Sequence, residues 1–178
     1  MKDSIEFDSK VTQEDLMNFK VYHNYHSVSG VAALIFGILS LLICIISIGQ
    51  VNISYTLMMG FFGLFFTVYT PISMKLKVKK QMKKIKSFDE PVHYVISEEG
   101  FKLSQNDISE ELKWDDIFKI TFTGKCFILY ITTIKANVIS LKDMNGQGEA
   151  FLEIASKQLK PFQIKVNKKK LKKAESHE

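Results

Sequence analysis

The sequence contains no arginine, and between Val21 and Met74 it contains no charged residue of either sign. All 24 basic residues are lysine, and they fall, like the 19 acids, before Val21 or after Met74. Averages of 46% hydrophobic and 24% charged residues over 178 positions would suit one ordinary soluble domain. The segregation excludes that reading and divides the chain into two materials. Cysteine is nearly absent: Cys44 lies in the uncharged stretch and Cys126 far beyond it, which excludes a disulfide framework and any CxxC ligand pair. There is no HExxH sequence and no glycine-rich phosphate loop. Of four histidines, only His93 lies in the charged C-terminal part ahead of the tail, so no catalytic triad can be assembled. The paired acids Glu98 with Glu99, Glu110 with Glu111 and Asp115 with Asp116 are adjacent in sequence and face opposite sides of a strand. These shortages point away from an enzyme, a metal and a cofactor.

What is present is apolar length. Residues 28–48 and 55–74 supply runs of 21 and 20 nearly continuous apolar positions, and a bilayer core needs roughly 20 per helix. A soluble core helix seldom runs that far without a charge on its outer face. A secretory signal is excluded, because the first run follows 27 mixed residues and no small-residue cleavage site comes after it. Residues 49–54 form a short uncharged turn, so the two spans are expected to make an antiparallel hairpin. Ser29, Ala33 and Gly37 at four-residue spacing, with Gly60 and Gly63 in the second span, offer close helix approach. Pro71 predicts a kink near the end of that span.

Lysine bias sets the expected orientation. Lys75, Lys77, Lys79, Lys80, Lys83, Lys84 and Lys86 follow the second span with no acid among them, and the turn carries no charge. Positive flanks stay on the cytoplasmic side, so a plasma-membrane protein with two spans and both termini cytoplasmic is predicted. The same collar, residues 75–87, is expected to contact lipid headgroups. The net charge of +5 is the collar's doing; without it the chain is slightly acidic, and no aromatic-interleaved basic motif speaks for nucleic acid.

Residues 1–27 read as an approach helix, because Thr12 with Asp15 three positions on resembles a capping box before Leu16, Met17, Phe19 and Val21. Tyr22 and Tyr25 fall at headgroup level. His23 and His26 share a helical face but have no third ligand nearby, so they read as an interfacial pair.

After the collar the hydrophobic period becomes alternating. Val92, Tyr94 and Ile96, then Phe101 and Leu103, then residues 108–113, 117–123, 127–133 and 136–141 predict six antiparallel strands, with turns at 98–100, 105–107 and 124–125. In the 127–133 strand, Phe127, Leu129 and Ile131 are expected inward, with Ile128 and Tyr130 on the opposite face. Phe151, Ile154, Ala155, Gln158 and Leu159 return to helical spacing and predict one covering helix. Residues 165–178 read as a basic tail, disordered or near the membrane. The fold class predicted is therefore an α+β membrane protein: a transmembrane hairpin, then a β meander over residues 88–164 with a C-terminal helix, the order a pleckstrin-homology-like barrel needs.

Residues 11–23 (VTQEDLMNFKVYH), the two spans, the run from Tyr94 to Glu99-Gly100-Phe101, and Lys113-Trp114-Asp115-Asp116-Ile117 together resemble the YcxB-like family of bacterial membrane proteins. The resemblance covers most of the chain and implies a pleckstrin-homology-like domain, but no established activity. It marks Glu99, Gly100, Phe101, Trp114, Asp116 and Ile117 as structural or binding positions. A lone tryptophan entering a strand is first a core anchor whose indole N–H needs a partner. The expected function is a non-catalytic adaptor at the inner leaflet that binds a protein, peptide or lipid headgroup. The alternative is a protective or immunity protein against a membrane-active peptide, with the hairpin as its working part.

Overall fold

The computed structural model describes residues 4–85 and 88–176. The chain forms two compact units: residues 20–81, and a second unit assembled from the residues up to Phe19 together with those from Met82 onward.

The first unit is a helical hairpin. Helix α2 spans Val28–Ser47, and its start is fixed by Ser27, whose hydroxyl accepts from the Gly30 N–H at 3.1 Å. A turn with Gly49 at φ +76° leads to α3 (Ile53–Leu64), capped by Asn52. A π-helical turn over Phe65–Tyr69 then joins α3 to α4 (Thr70–Lys84). Pro71 accounts for that turn, since its ring lacks an N–H and crowds the carbonyl four residues back; the expected kink takes this form. Contact between the antiparallel helices is made at small residues. A Cβ added to Gly63 would lie 2.5 Å from Leu41, and one added to Gly37 would lie 2.9 Å from Phe66. Gly60 faces Cys44, and the hydroxyls of Ser47 and Thr56 meet at 3.1 Å. The α2 contact face is thus Gly37, Leu41, Cys44 and Ser47, and Ser29, expected on it, is exposed. Ile45, Ile46, Leu57 and Leu64 point away from the partner helix and are exposed. By length and composition, both α2 and the continuous helical stretch from Ile53 to Lys84 could cross a membrane.

The second unit contains two four-stranded sheets. The first has the order β1 (Ser4–Ser9), β2 (Val92–Ser97), β3 (Phe101–Gln105), β4 (Ile108–Leu112), all antiparallel. The second has the order β7 (Ala136–Ser140), β6 (Cys126–Tyr130), β5 (Lys119–Phe122), β8 (Ile164–Lys165), with β8 parallel to β5. The six strands expected from alternation are all present, but the meander does not close into a single barrel. A 3-10 turn over Trp114–Asp116 interrupts it between β4 and β5 and redirects the chain into the second sheet. Helix α5 (Gly148–Gln158) buries Phe151, Leu152, Ile154 and Ala155 in the common core with Ile5, Phe7, Ile96, Phe101, Trp114, Ile120, Phe127 and Leu129.

Three features depart from the sequence reading. Residues 1–27 are only partly helical: α1 covers Gln13–Tyr25 and begins at the expected Thr12–Asp15 box, but β1 precedes it. Ile5, Phe7 and Ser9 point inward from β1, and the Phe7 ring stacks on Tyr94 at 5.5 Å. Secondly, β6 is buried on both faces, because the N-terminal half of α1 lies against the side that carries Ile128 and Tyr130. Phe19 sits 6.2 Å from the Tyr130 ring, and the Ser140 hydroxyl donates to the buried Asp15 carboxylate at 3.4 Å. Thirdly, the basic tail is ordered as β8 and helix α6 (Lys168–Glu175), which places Leu171 in the core. Glu175 accepts from the Gly148 N–H at 2.8 Å and so caps α5.

Because β1 contributes core to a sheet otherwise built from residues after 91, Phe7→Ala should lower the unfolding free energy of the detergent-solubilised protein by about 3–5 kcal/mol. Lys102→Ala, at an exposed ion pair, should change it by no more than about 0.5 kcal/mol. Urea titration followed by Trp114 fluorescence measures both.

Candidate functional site

The two short motifs that carry the resemblance are brought together at one place. Ser97 accepts at its carbonyl from the Gly100-bearing turn's neighbour across it, the Trp114 indole, whose Nε1–H donates at 2.9 Å. Gly100 has φ +150°, and a Cβ there would lie 2.4 Å from the Leu112 carbonyl oxygen, so only glycine fits. Phe101 packs its ring 4.5 Å from Trp114 and 6.3 Å from Phe151 of α5. The Asp116 carboxylate accepts from the Lys113 N–H at 3.0 Å and closes the 3-10 turn, which sets Ile117 fully inside. Phe101, Trp114 and Ile117 are therefore core, Gly100 and Asp116 shape backbone, and of the six only Asp116 and Glu99 are exposed. Glu98 beside it holds Lys157 of α5 at 2.6 Å. This cluster joins both sheets to α5.

The concavity of this unit lies on the other side of α5. A groove of about 350 Å³ runs between α5 and α6, with Leu152 and Leu171 as its apolar floor. Glu149, Glu153 and Ser156 from α5 and Lys168 and Lys172 from α6 form its rims. Lys172 reaches Glu149 at 3.5 Å across one end. The tail reading missed this groove, because α6 has a single apolar anchor, Leu171, among lysines.

The collar lysines Lys75, Lys77, Lys79, Lys80, Lys83 and Lys84 are all exposed on α4, and Lys86 lies outside the described residues. At about 100° per residue they cover an arc of roughly 200°, leaving Met74, Val78, Gln81 and Met82 on the remaining side. Val78 is buried there, and the other three are half-buried. Away from the collar, His26 stacks on Tyr22 at 3.9 Å with its Nδ1 2.9 Å from the Tyr22 carbonyl oxygen. His93 sits between Glu6 and Asp8 of β1, at 3.1 and 2.7 Å. Among the described residues, no group of three or more His, Cys, Asp or Glu is arranged to hold a metal ion.

Two buried acids record how dry the core is. Burial, with a smaller contribution from Glu110, pushes the Tyr94 hydroxyl up from 10.0 to about 12. Burial also pushes the Cys126 thiol up from 9.0 to about 11, against the lowering effect of its hydrogen bond with Thr123. Both groups are neutral in folded and unfolded chains below pH 9, so their full contribution is present there. As pH rises from 9 to 12 the unfolded chain ionises first and stability falls. The urea midpoint should therefore drop across pH 9–12, with a shallower drop between pH 10 and 12 in Tyr94→Phe. At pH 8 Cys126 should react with a thiol reagent only after denaturation.

Comparison with known proteins agrees with this geometry. No curated protein matches the chain. A family model matches part of it: the match begins at Ile96, passes through the Gly100 turn, the Trp114 crossover and β5–β7, and ends at Ala155 in α5, which is the set of elements that the Trp114–Phe101–Phe151 cluster ties together. Residues 96–155 match the family model described as YcxB-like protein, the family that the sequence motifs resemble.

Proposed function

We propose that this chain is a membrane-anchored, non-catalytic binding module whose hairpin crosses the plasma membrane twice, with both termini cytoplasmic. The support is physical. The two long helices expose apolar side chains on their outer faces, their connecting turn is uncharged, and the lysine arc of α4 follows the second span. Strands β1 and β2 flank the hairpin in sequence yet hydrogen-bond to each other along six residue pairs. An inserted hairpin that spans a bilayer must then return to the side from which it left. The two antiparallel sheets and the helix α5 packed on their core support a pleckstrin-homology-like reading of the folded unit.

The observation that carries binding is the α5–α6 groove, which has an apolar floor, Glu149, Glu153 and Lys157 on the α5 rim and lysines on the α6 rim. Such a groove suits a peptide or helix with one apolar anchor and flanking charges of both signs. A photo-crosslinking side chain at Ser156, in the full-length protein in its native membrane, should capture a discrete partner. The same side chain at Ser109, exposed on β4, should not. Charge reversal by Glu153→Lys with Lys168→Glu should reduce that adduct at least tenfold. Equal capture at Ser156 and Ser109, or none at either, counts against an adaptor that works through this groove.

A further inference from the structure

The large exposed apolar residues beyond Phe88 are few, and they are not scattered. They are Ile108 in the first sheet and Phe118, Ile134 and Phe162 in the second, the last three 51%, 81% and 72% exposed. The register of the second sheet brings those three to one end. Phe118 precedes β5 and its N–H donates to the Tyr130 carbonyl at 2.8 Å, where β6 finishes. Ile134 sits in the β6–β7 turn, which Ile131 N–H closes onto the Lys135 carbonyl at 2.9 Å. Phe162 is held beside Phe118 by Gln163, whose amide donates to the carbonyls of Ile117 and Phe118 at 3.0 and 3.2 Å. Lys119, Lys135, Lys160 and Lys165 lie at or near this end, and none of them is in an ion pair among the described residues. The Lys119 ammonium stands over the Tyr130 ring at 4.4 Å and near Phe118 at 5.9 Å. The nearest acid in sequence, Asp116, is turned back onto the Lys113 N–H.

The chemistry of this edge, exposed apolar side chains beside lysines that have no acid partner among the described residues, says what covers it, and α1 leads toward it. Its first turn is fixed at the opposite end of the sheet, where Glu14 pairs with Lys125 and Asp15 receives the Ser140 hydroxyl. Four residues later Phe19 lies on Tyr130. The helix therefore passes along the sheet toward the Phe118–Ile134 end. Aromatic and apolar side chains beside snorkelling lysines are the combination favoured at the headgroup layer of a bilayer.

From this we propose that Phe118, Ile134 and Phe162, with Lys119, Lys135, Lys160 and Lys165, form a docking edge for an anionic lipid surface, seating the folded unit against the bilayer. The proposal rests on the anchoring reading above, and its test separates the two. The full-length protein, with Trp114→Phe to remove the native tryptophan, is reconstituted in vesicles of phosphatidylglycerol and phosphatidylethanolamine. Single tryptophans are introduced as Phe118→Trp, Ile134→Trp or Phe162→Trp, with Lys142→Trp at the far end of the sheet as reference. Nitroxide lipid labelled near the headgroup should quench the first three at least threefold more than the reference. In vesicles of phosphatidylcholine alone the excess should fall by half or more. Phe61→Trp in the exposed outer face of α3, with lipid labelled deep in the chain, reports anchoring by itself. Quenching at Phe61→Trp with no excess at the edge overturns the docking edge and leaves the anchor standing. No quenching at Phe61→Trp overturns both. An excess that disappears as protein density rises assigns the edge to a second copy and overturns lipid docking. If Trp114→Phe does not fold, an environment-sensitive dye on a cysteine at position 162, compared with one at 142, gives the same discrimination with Trp114 retained.

Discussion

The pairing of β1 with β2 is the constraint on which the rest of the structure depends. Ser9 faces Val92 in that ladder, although about 80 residues and the whole hairpin separate them. Closing a flexible loop of that length would cost about 4 kcal/mol in chain entropy. The hairpin reduces the cost, because its antiparallel helices turn the chain back toward its starting point before the sheet forms. Anchor and folded unit are thus coupled through one ladder. A piece that begins at residue 88 lacks an edge strand together with Ile5 and Phe7, and a piece that ends there leaves β1 and the apolar face of α1 without partners.

The same coupling explains where the family signature lies. Residues 96–155 begin after most of β2 and omit β1, α1 and the hairpin. What they retain is the Gly100 turn, the Trp114 crossover and α5, where steric demands are local and severe. Gly100 has no room for a Cβ, and the Trp114 N–H must meet the Ser97 carbonyl. By contrast, β1 needs only alternation, and a lipid-facing helix needs only apolar length, so many sequences satisfy each.

Legibility in the sequence followed the same division. The hairpin was readable because both spans exceed any common soluble helix in uncharged length, and β2 to β7 were readable because their period is two and glycine or Asx residues punctuate them. Strand β1 was not, since Ser4–Ser9 holds only two apolar residues between charges and its partner lies far away in sequence. The second burial of Ile128 and Tyr130 was hidden for a related reason: period-two alternation reports one face of a strand, and only tertiary structure reveals that α1 covers the other. In the tail, a lone Leu171 among lysines carries no period, although its burial orders α6 and creates one wall of the groove. The α6 wall of the α5–α6 groove sits in one of these unreadable parts.

Several surfaces of the folded unit are already occupied or guarded. The edge of β5 is occupied by β8 from the chain's own C-terminal segment. Strand β4 is open, but it is five residues long and carries Glu110 and Glu111, which blunt an edge against strand addition. The outer face of β6 is taken by α1, and the inner faces of both sheets by α5. The α5–α6 side is where apolar floor and charge of both signs coexist. Because α6 caps α5 through Glu175 and seats Leu171 in the core, occupation of that groove bears directly on α5 and on the core it shares with both sheets.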